Sequence, residues 1–500
     1  MSDDNGPKVR TASGTVRGRW TEDLAVFRGI PFARPPIGAL RFAAPRPPRP
    51  WDGVREAAEF GPPPPQSGPA RPPGSTTGAD WLTVNVWSPD PGAARLPVLV
   101  WFQGGAYLSG TSSDPLYDAA LLARTGLVIV TFNYRVGAEG FAQLSGAPAN
   151  RGLLDQIAAL RWVRENIAGF GGDPGRVTVC GQSAGAGSIA TLLAMPSATG
   201  LFGRAIAQSV PWLYCTPALA EDIAAALAAR LGMPPTAAAL SAVDPQRLAD
   251  EVDVLMSELP SHAGRWGRVA SVGAPFAPVV DGEVLPDVPW RALADGRASD
   301  VALLTGHTRD EFRLFLVTSG RAGKITEEDA ATALRILGPG PDAERAYRSA
   351  FPDAGAEELF ELVYSDMLFR MPSLYLAEAH SAAGGTSHLY ELCWPSPAMG
   401  GALGASHAVD VPLLFGTFDS PAGRLLIGEG EPPAEALALA EEIRGAWAAF
   451  ARHGDPGWPR HTADRRSTRL LDAEVRTAPY PQERSRHIWE GHAFDAFDLT

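Results

Sequence analysis

Ser183 stands in Gly181-Gln182-Ser183-Ala184-Gly185, a Gly-x-Ser-x-Gly spacing. A serine hydroxyl is a poor nucleophile until an adjacent base takes its proton. That base is commonly a histidine, oriented by a carboxylate that also stabilises the imidazolium. Among nine histidines, His407 in Gly404-Ala-Ser-His-Ala-Val-Asp410 is the candidate base. His307 competes for the role, whereas His262, His461, His487 and His492 fall in polar or terminal segments. The candidate acid is Glu311, with Asp310 as an alternative and Asp410 as a weaker one. Residues of these types can carry out acyl transfer through a tetrahedral intermediate, whose oxyanion needs preorganised N–H donors. Ala184, directly after the serine, offers one donor, and the small residues of Gly104-Gly105-Ala106 let a second stretch of backbone approach the reacting group. Taken alone, that stretch also reads as an ordinary tight turn.

Such side chains need elements to hold them. Val177-Thr-Val-Cys180 is apolar and β-branched, so it reads as a buried strand. After Ser183 the residues are small, then apolar at helical spacing, and read as a helix. A serine on that sharp turn takes a strained backbone and pushes its hydroxyl outward. Gly181 and Gly185 are required because side chains there would collide across the turn. The helix start aims its free N–H groups at whatever the serine attacks. Residues 82–87, 96–102, 127–132, 301–305 and 388–393 read as strands, and 115–125, 151–168 and 433–453 as helices. Strand–helix alternation implies a mostly parallel central sheet with helices on both faces, an α/β class. In that layout the nucleophile, acid and base follow strands in the order Ser183, Glu311, His407. Residues 9–30 suit a small antiparallel hairpin or meander, and 31–76 are too rich in proline for helix or central strand. Phe32, Leu40, Phe42 and Trp51 give that segment apolar anchors, so it reads as an ordered loop. Residues 200–300 are Ala-rich and mostly helical, and 320–385 read as a helical lid. No linker or internal repeat divides the chain, so 1–500 reads as a single domain.

Composition narrows the partners. The net charge of -13 argues against a nucleic acid or an anionic membrane. Lys8 and Lys324 are the only lysines among 43 basic residues; with the abundant Ala, Gly and Pro this points to a GC-rich bacterial genome. Cys180, Cys215 and Cys393 form neither a disulfide framework nor a metal motif. The start, Met-Ser-Asp-Asp-Asn-Gly-Pro-Lys, lacks an apolar leader, so a cytoplasmic setting is expected. No phosphate loop or dinucleotide fingerprint is found, so no cofactor is expected. The expected partner is a small-molecule ester, and the expected state a monomer or small homo-oligomer.

The sequence resembles the type-B carboxylesterases, which include bacterial para-nitrobenzyl esterases, animal carboxylesterases and cholinesterases. The resemblance covers about residues 10–460. It rests on Phe27-Arg-Gly-Ile-Pro-Phe-Ala33, Asp80-Trp-Leu-Thr-Val-Asn-Val-Trp87, Asn133-Tyr-Arg135, Gly152-Leu-Leu-Asp-Gln156, Phe170-Gly-Gly-Asp-Pro174, the Ser183 motif and Leu201-Phe-Gly-Arg-Ala-Ile-Ala-Gln-Ser209. It implies an α/β-hydrolase fold and a serine ester hydrolase working through an acyl-enzyme, with Ser183 as nucleophile, Glu311 as acid and His407 as base. It also implies Gly105, Ala106 and Ala184 as oxyanion donors and Ser209 as a support of the acid. Tyr107, Trp212 and Gln182 are expected to line the substrate pocket, with core packing as the alternative for the two rings. Amide, carbamate or lactone substrates stay open, and a non-catalytic binding member is a further alternative. Several positions depart from the family pattern. Gln103 replaces His or Tyr, and Ala106 replaces a glycine. Gln182 replaces Glu beside the serine, which removes a negative charge near the base and the substrate. Pro64 and Trp81 stand where secreted relatives carry a disulfide, and Ala79 stands where Arg41 would find its glutamate. A pair between Arg135 and Asp173 is expected to persist.

Overall fold

Val98–Phe102 and Val128–Val130 are each 0 % exposed, because both faces of a parallel sheet are covered. The computed structural model describes residues 6–66, 68, 78–92 and 95–500, so parts of the N-terminus and of the Pro-rich stretch lie outside it. By their contacts the described residues form two compact units. One comprises Met1–Arg204, Leu213–Val288 and Ala496–Thr500; the other comprises Ala205–Trp212 and Pro289–Asp495.

In the first unit the strand Leu96–Phe102 runs parallel to Val128–Phe132 on one side and to Gly172–Gln182 on the other. Thr83–Ser88 and Leu24–Pro31 extend the sheet in antiparallel fashion. The expected N-terminal meander is present as Lys8–Arg10 paired with Thr15–Arg17, and Arg19–Thr21 paired with Leu24–Pro31. The helix Arg151–Asn166 begins after Asn150, whose φ of 56° would strain most side chains. The Asn150 amide offsets that strain by exchanging two 2.8 Å hydrogen bonds with the Val279 backbone.

Two buried ion pairs differ from expectation. Arg135 does not pair with Asp173. It makes a bidentate contact with Asp155, at 2.7 and 2.8 Å, and both side chains are 0 % exposed. Asp173 instead meets Arg176 and Arg95 near the surface. Arg41, short of a partner at position 79, pairs with Glu139 at 2.6 Å. The short helix Gly137–Phe141 carries Glu139 and supplies the charge that position 79 lacks.

In the second unit Ala302–Thr308, Ser387–Leu392 and Ser467–Leu471 run parallel, and Arg476–Pro479 closes the edge antiparallel. Arg204–Gln208, a strand that the Ala-rich sequence does not announce, lies beside Ala302–Thr308. Residues 320–385 are helical as expected, in Glu327–Leu337, Ala343–Ala350, Ala356–Ser365 and Met371–Ala382. Between the last two, Asp366–Arg370 winds as a π-helical turn. Such turns are rare and concentrate at functional sites.

Candidate active site

The turn that carries Ser183 is local to the first unit. Strand Gly172–Gln182 hands over directly to helix Ala184–Ala194, and Ser183 between them has φ 56° and ψ -127°. A residue other than glycine holds such a conformation only when its surroundings enforce it. They do so through close packing: a Cβ on Gly185 would stand 2.0 Å from the Phe102 carbonyl oxygen, and one on Gly181 2.8 Å from it. Every residue of the following helix is buried, whereas Ser183 is partly exposed.

The turn after strand Leu96–Phe102 packs against the same serine. A methyl on Gly104 would lie 3.0 Å from Gln182 O and 3.2 Å from Ser183 Cβ, so glycine lets the two turns approach more closely than a side chain would allow. Gly105, Ala106 and Tyr107 take φ values of 116°, 54° and 62°, which turn the chain sharply. Among the described residues, the N–H groups of Gly105, Ala106 and Ala184 donate to no protein acceptor. Unused N–H groups beside a serine are the raw material of an oxyanion site.

The candidate acid and base meet within the second unit. Glu311 follows strand Ala302–Thr308, and its Oε2 lies 2.5 Å from His407 Nδ1. Both side chains are nearly fully buried, at 0 % and 6 % exposure. The Thr308 N–H donates to the other carboxylate oxygen at 2.8 Å. Burial pushes Glu311 upward, but His407, Ser209 and Thr308 together hold it below the usual glutamate value. Ser209 is 0 % exposed with φ 56°; its hydroxyl acts on Glu311 through proximity, without a hydrogen bond of ordinary geometry.

The competing residues are engaged elsewhere. His307 is 0 % exposed, with its nitrogens on Thr308 O and the Tyr480 hydroxyl. Asp310 takes Arg309 and the Ala405 N–H, so it steadies the loop that carries His407. Burial raises Asp410 to about 6, and it accepts from Gln208 and Tyr390.

Two rings missed by the sequence reading lie against His407. Phe369 sits at 4.3 Å and Phe315 at 5.4 Å between ring centres. Phe315 follows Glu311 by four residues, a helical spacing that could have flagged it. Phe369 carries no such signal, because the π-helical turn and the tertiary fold bring it there. Tyr107 and Trp212 are 0 % and 1 % exposed. Tyr107 packs on Phe141 at 5.0 Å; Trp212 packs edge-on to Trp489 and Phe494 and donates to Asp495 O. Gln182 is 5 % exposed, and its backbone lies against Gly104.

The strand–serine–helix turn and the carboxylate-bound histidine mark an α/β-hydrolase, and comparison with known proteins narrows the class. The carboxylesterase family model matches residues 5–477, and the chain belongs to that family. It is 36% identical over 496 residues to the para-nitrobenzyl esterase of Bacillus subtilis (strain 168), covering 96% of this chain and 97% of that one. It is 35% identical over 477 residues to the phenmedipham hydrolase of Pseudarthrobacter oxydans, covering 92% and 93%. The crystal structure of a Geobacillus stearothermophilus carboxylesterase superposes with a TM-score of 0.84 at 34% identity, covering 97% of this chain and 100% of that one. The protein has the α/β-hydrolase fold and is a carboxylic-ester hydrolase. No helix among the described residues is long and apolar enough to cross a membrane.

Proposed function

We propose that this chain hydrolyses small to medium carboxylic esters through an acyl-enzyme, with Ser183 as nucleophile, His407 as general base and acid, and Glu311 as its orienting carboxylate. The carrying observation is the 2.5 Å contact between His407 Nδ1 and the buried Glu311. With Nδ1 protonated toward Glu311, Nε2 is the nitrogen that takes the serine proton. In the first half-reaction Ser183 Oγ attacks the ester carbonyl carbon and His407 Nε2 takes the hydroxyl proton. The N–H groups of Gly105, Ala106 and Ala184 receive the oxyanion. Collapse expels the alcohol, which leaves with the proton from His407. Water then attacks the acyl-enzyme, with His407 again as base, and releases the acid. Phe315 and Phe369 keep water from the imidazole face on their side and strengthen its bond to Glu311.

The test is Ser183→Ala. Hydrolysis of p-nitrophenyl acetate should vanish while the circular dichroism and melting temperature stay close to wild type. A fluorophosphonate should label the wild type on Ser183 alone. A label mapped to another residue would overturn the assignment.

A further inference from the structure

The residue after Glu311 is caught by a chain of hydrogen bonds that the reaction above does not use. The Phe312 N–H donates to Ser365 Oγ at 2.9 Å. The Ser365 hydroxyl donates in turn to Glu361 Oε1 at 2.6 Å. Ser365 is 0 % and Glu361 6 % exposed. Both lie on helix Ala356–Ser365, where a spacing of four residues puts them on one face. Burial pushes Glu361 above the usual glutamate value, and the Arg370 guanidinium, 3.8 Å away, opposes that shift. With its proton committed to Glu361, the Ser365 hydroxyl turns a lone pair toward Phe312.

The other ties on this loop all lie at or before Glu311. The Thr308 N–H donates to the Glu311 carboxylate, the Asp310 N–H to Ala405 O, and the His407 N–H to Glu311 O. Ser365 holds the loop from the other side, through the peptide that joins Glu311 to Phe312. Removing its hydroxyl leaves that N–H without its acceptor, at a cost the loop can relieve by moving. Movement there loosens the 2.5 Å contact of Glu311 with His407 Nδ1. The same stretch of chain reaches the base as well, since Phe369, four residues after Ser365, lies 4.3 Å from the imidazole. We propose that Ser365, oriented by Glu361, is a positioning residue for ester hydrolysis: it holds the Glu311–Phe312 peptide so that the carboxylate stays on His407 Nδ1. This role rests on the assignment of Glu311 and His407 made above.

The test compares Ser365→Ala, Ser365→Thr, Glu361→Ala and Glu311→Gln with wild type. Active sites are counted with a fluorophosphonate, so that kcat refers to folded enzyme. On p-nitrophenyl acetate, Ser365→Ala should lower kcat roughly tenfold or more and leave KM close to wild type, because small misplacements of an orienting group are felt in the rate. Proton NMR reads the contact itself. The His407 Nδ1–H resonance, far downfield while the short bond to Glu311 lasts, should move upfield or broaden in Ser365→Ala. Glu361→Ala should change both readouts in the same direction. Ser365→Thr keeps a hydroxyl and should recover most of the lost kcat. Wild-type kcat with an unmoved resonance in Ser365→Ala would overturn the proposal, as would equal losses in Ser365→Ala and Ser365→Thr, or wild-type kcat in Glu361→Ala. A lowered melting temperature at unchanged kcat would make Ser365 structural only and would overturn it too. Glu311→Gln separates the two levels. If that variant stays active, the assignment of the acid fails; if it is inactive while Ser365→Ala is not, only the role of Ser365 fails.

Discussion

At the residue scale two adjacent carboxylates have opposite duties. Glu311 touches the His407 ring, whereas Asp310 touches Arg309 and the backbone of the His407 loop. Glu311→Gln should therefore lower kcat by orders of magnitude, roughly 10⁴-fold as for the amide replacement in a serine-protease triad. Asp310→Asn should cost far less and act through loop stability. Steady-state kinetics that rank the two variants the other way would reverse the roles. Gln103 poses a different question. It is 0 % exposed, and neither its Oε1 nor its Nε2 has a partner among the described residues. A buried amide without partners costs about 1–3 kcal/mol. Gln103→Met, similar in volume and without that cost, should raise the melting temperature. A lower melting temperature would mean that the amide is satisfied in solution.

At the element scale, Trp212 ties the segment after strand Arg204–Gln208 to the C-terminal part of the second unit. Its backbone N–H donates to the Leu368 carbonyl at 3.0 Å within the π-helical turn, and its ring is enclosed by Trp489, His492 and Phe494. Trp212→Ala should cost about 3–5 kcal/mol, as for other buried tryptophans. Rates on p-nitrophenyl acetate, butyrate and octanoate should fall in parallel as the folded fraction falls. A selective gain on octanoate at unchanged melting temperature would instead place the ring in the acyl pocket. Within the π-helical turn Asp366–Arg370, Phe369 lies against His407 while Arg370 pairs with Asp366.

At the scale of the whole molecule, two buried groups drive stability in opposite directions over the same pH range. Burial lowers His461 to about 4, from an ordinary value of 6.5. Between those values the unfolded chain binds the extra proton, so this group adds stability as pH rises from 4 to 6.5 and withdraws it as pH falls. Burial raises Asp410 to about 6, from 3.8. Between those values the folded chain holds the extra proton, so this group subtracts stability as pH rises. The two slopes oppose each other between about pH 4 and 6. Asp410→Asn should unmask the His461 slope, so the melting temperature should climb more steeply between pH 4 and 6.5 than in wild type. His461→Gln should show the reverse. Scanning calorimetry at several pH values measures both, and parallel curves for all three proteins would contradict the linkage.

Much of this was written in local sequence. The apolar run, the glycine-flanked serine and the small-then-apolar helix dictate a strand–turn–helix, because strand and helix periodicities span only a few residues and the glycines answer contacts made within the turn itself. The same signals gave the strands before Glu311 and His407 and their order along the chain. They missed Arg204–Gln208 and the late strands Ser467–Leu471 and Arg476–Pro479, which are short and carry few β-branched apolar residues. Partner choice was decided by tertiary structure alone. Arg135 took Asp155 rather than Asp173, and Arg41 took Glu139 from 98 residues away. His307 was claimed by Tyr480, while His407 was left for Glu311. Sequence lists the charges, but an ion pair or a hydrogen bond forms only where the fold brings two groups within about 3 Å in a site that water has left, and that placement depends on every element between them.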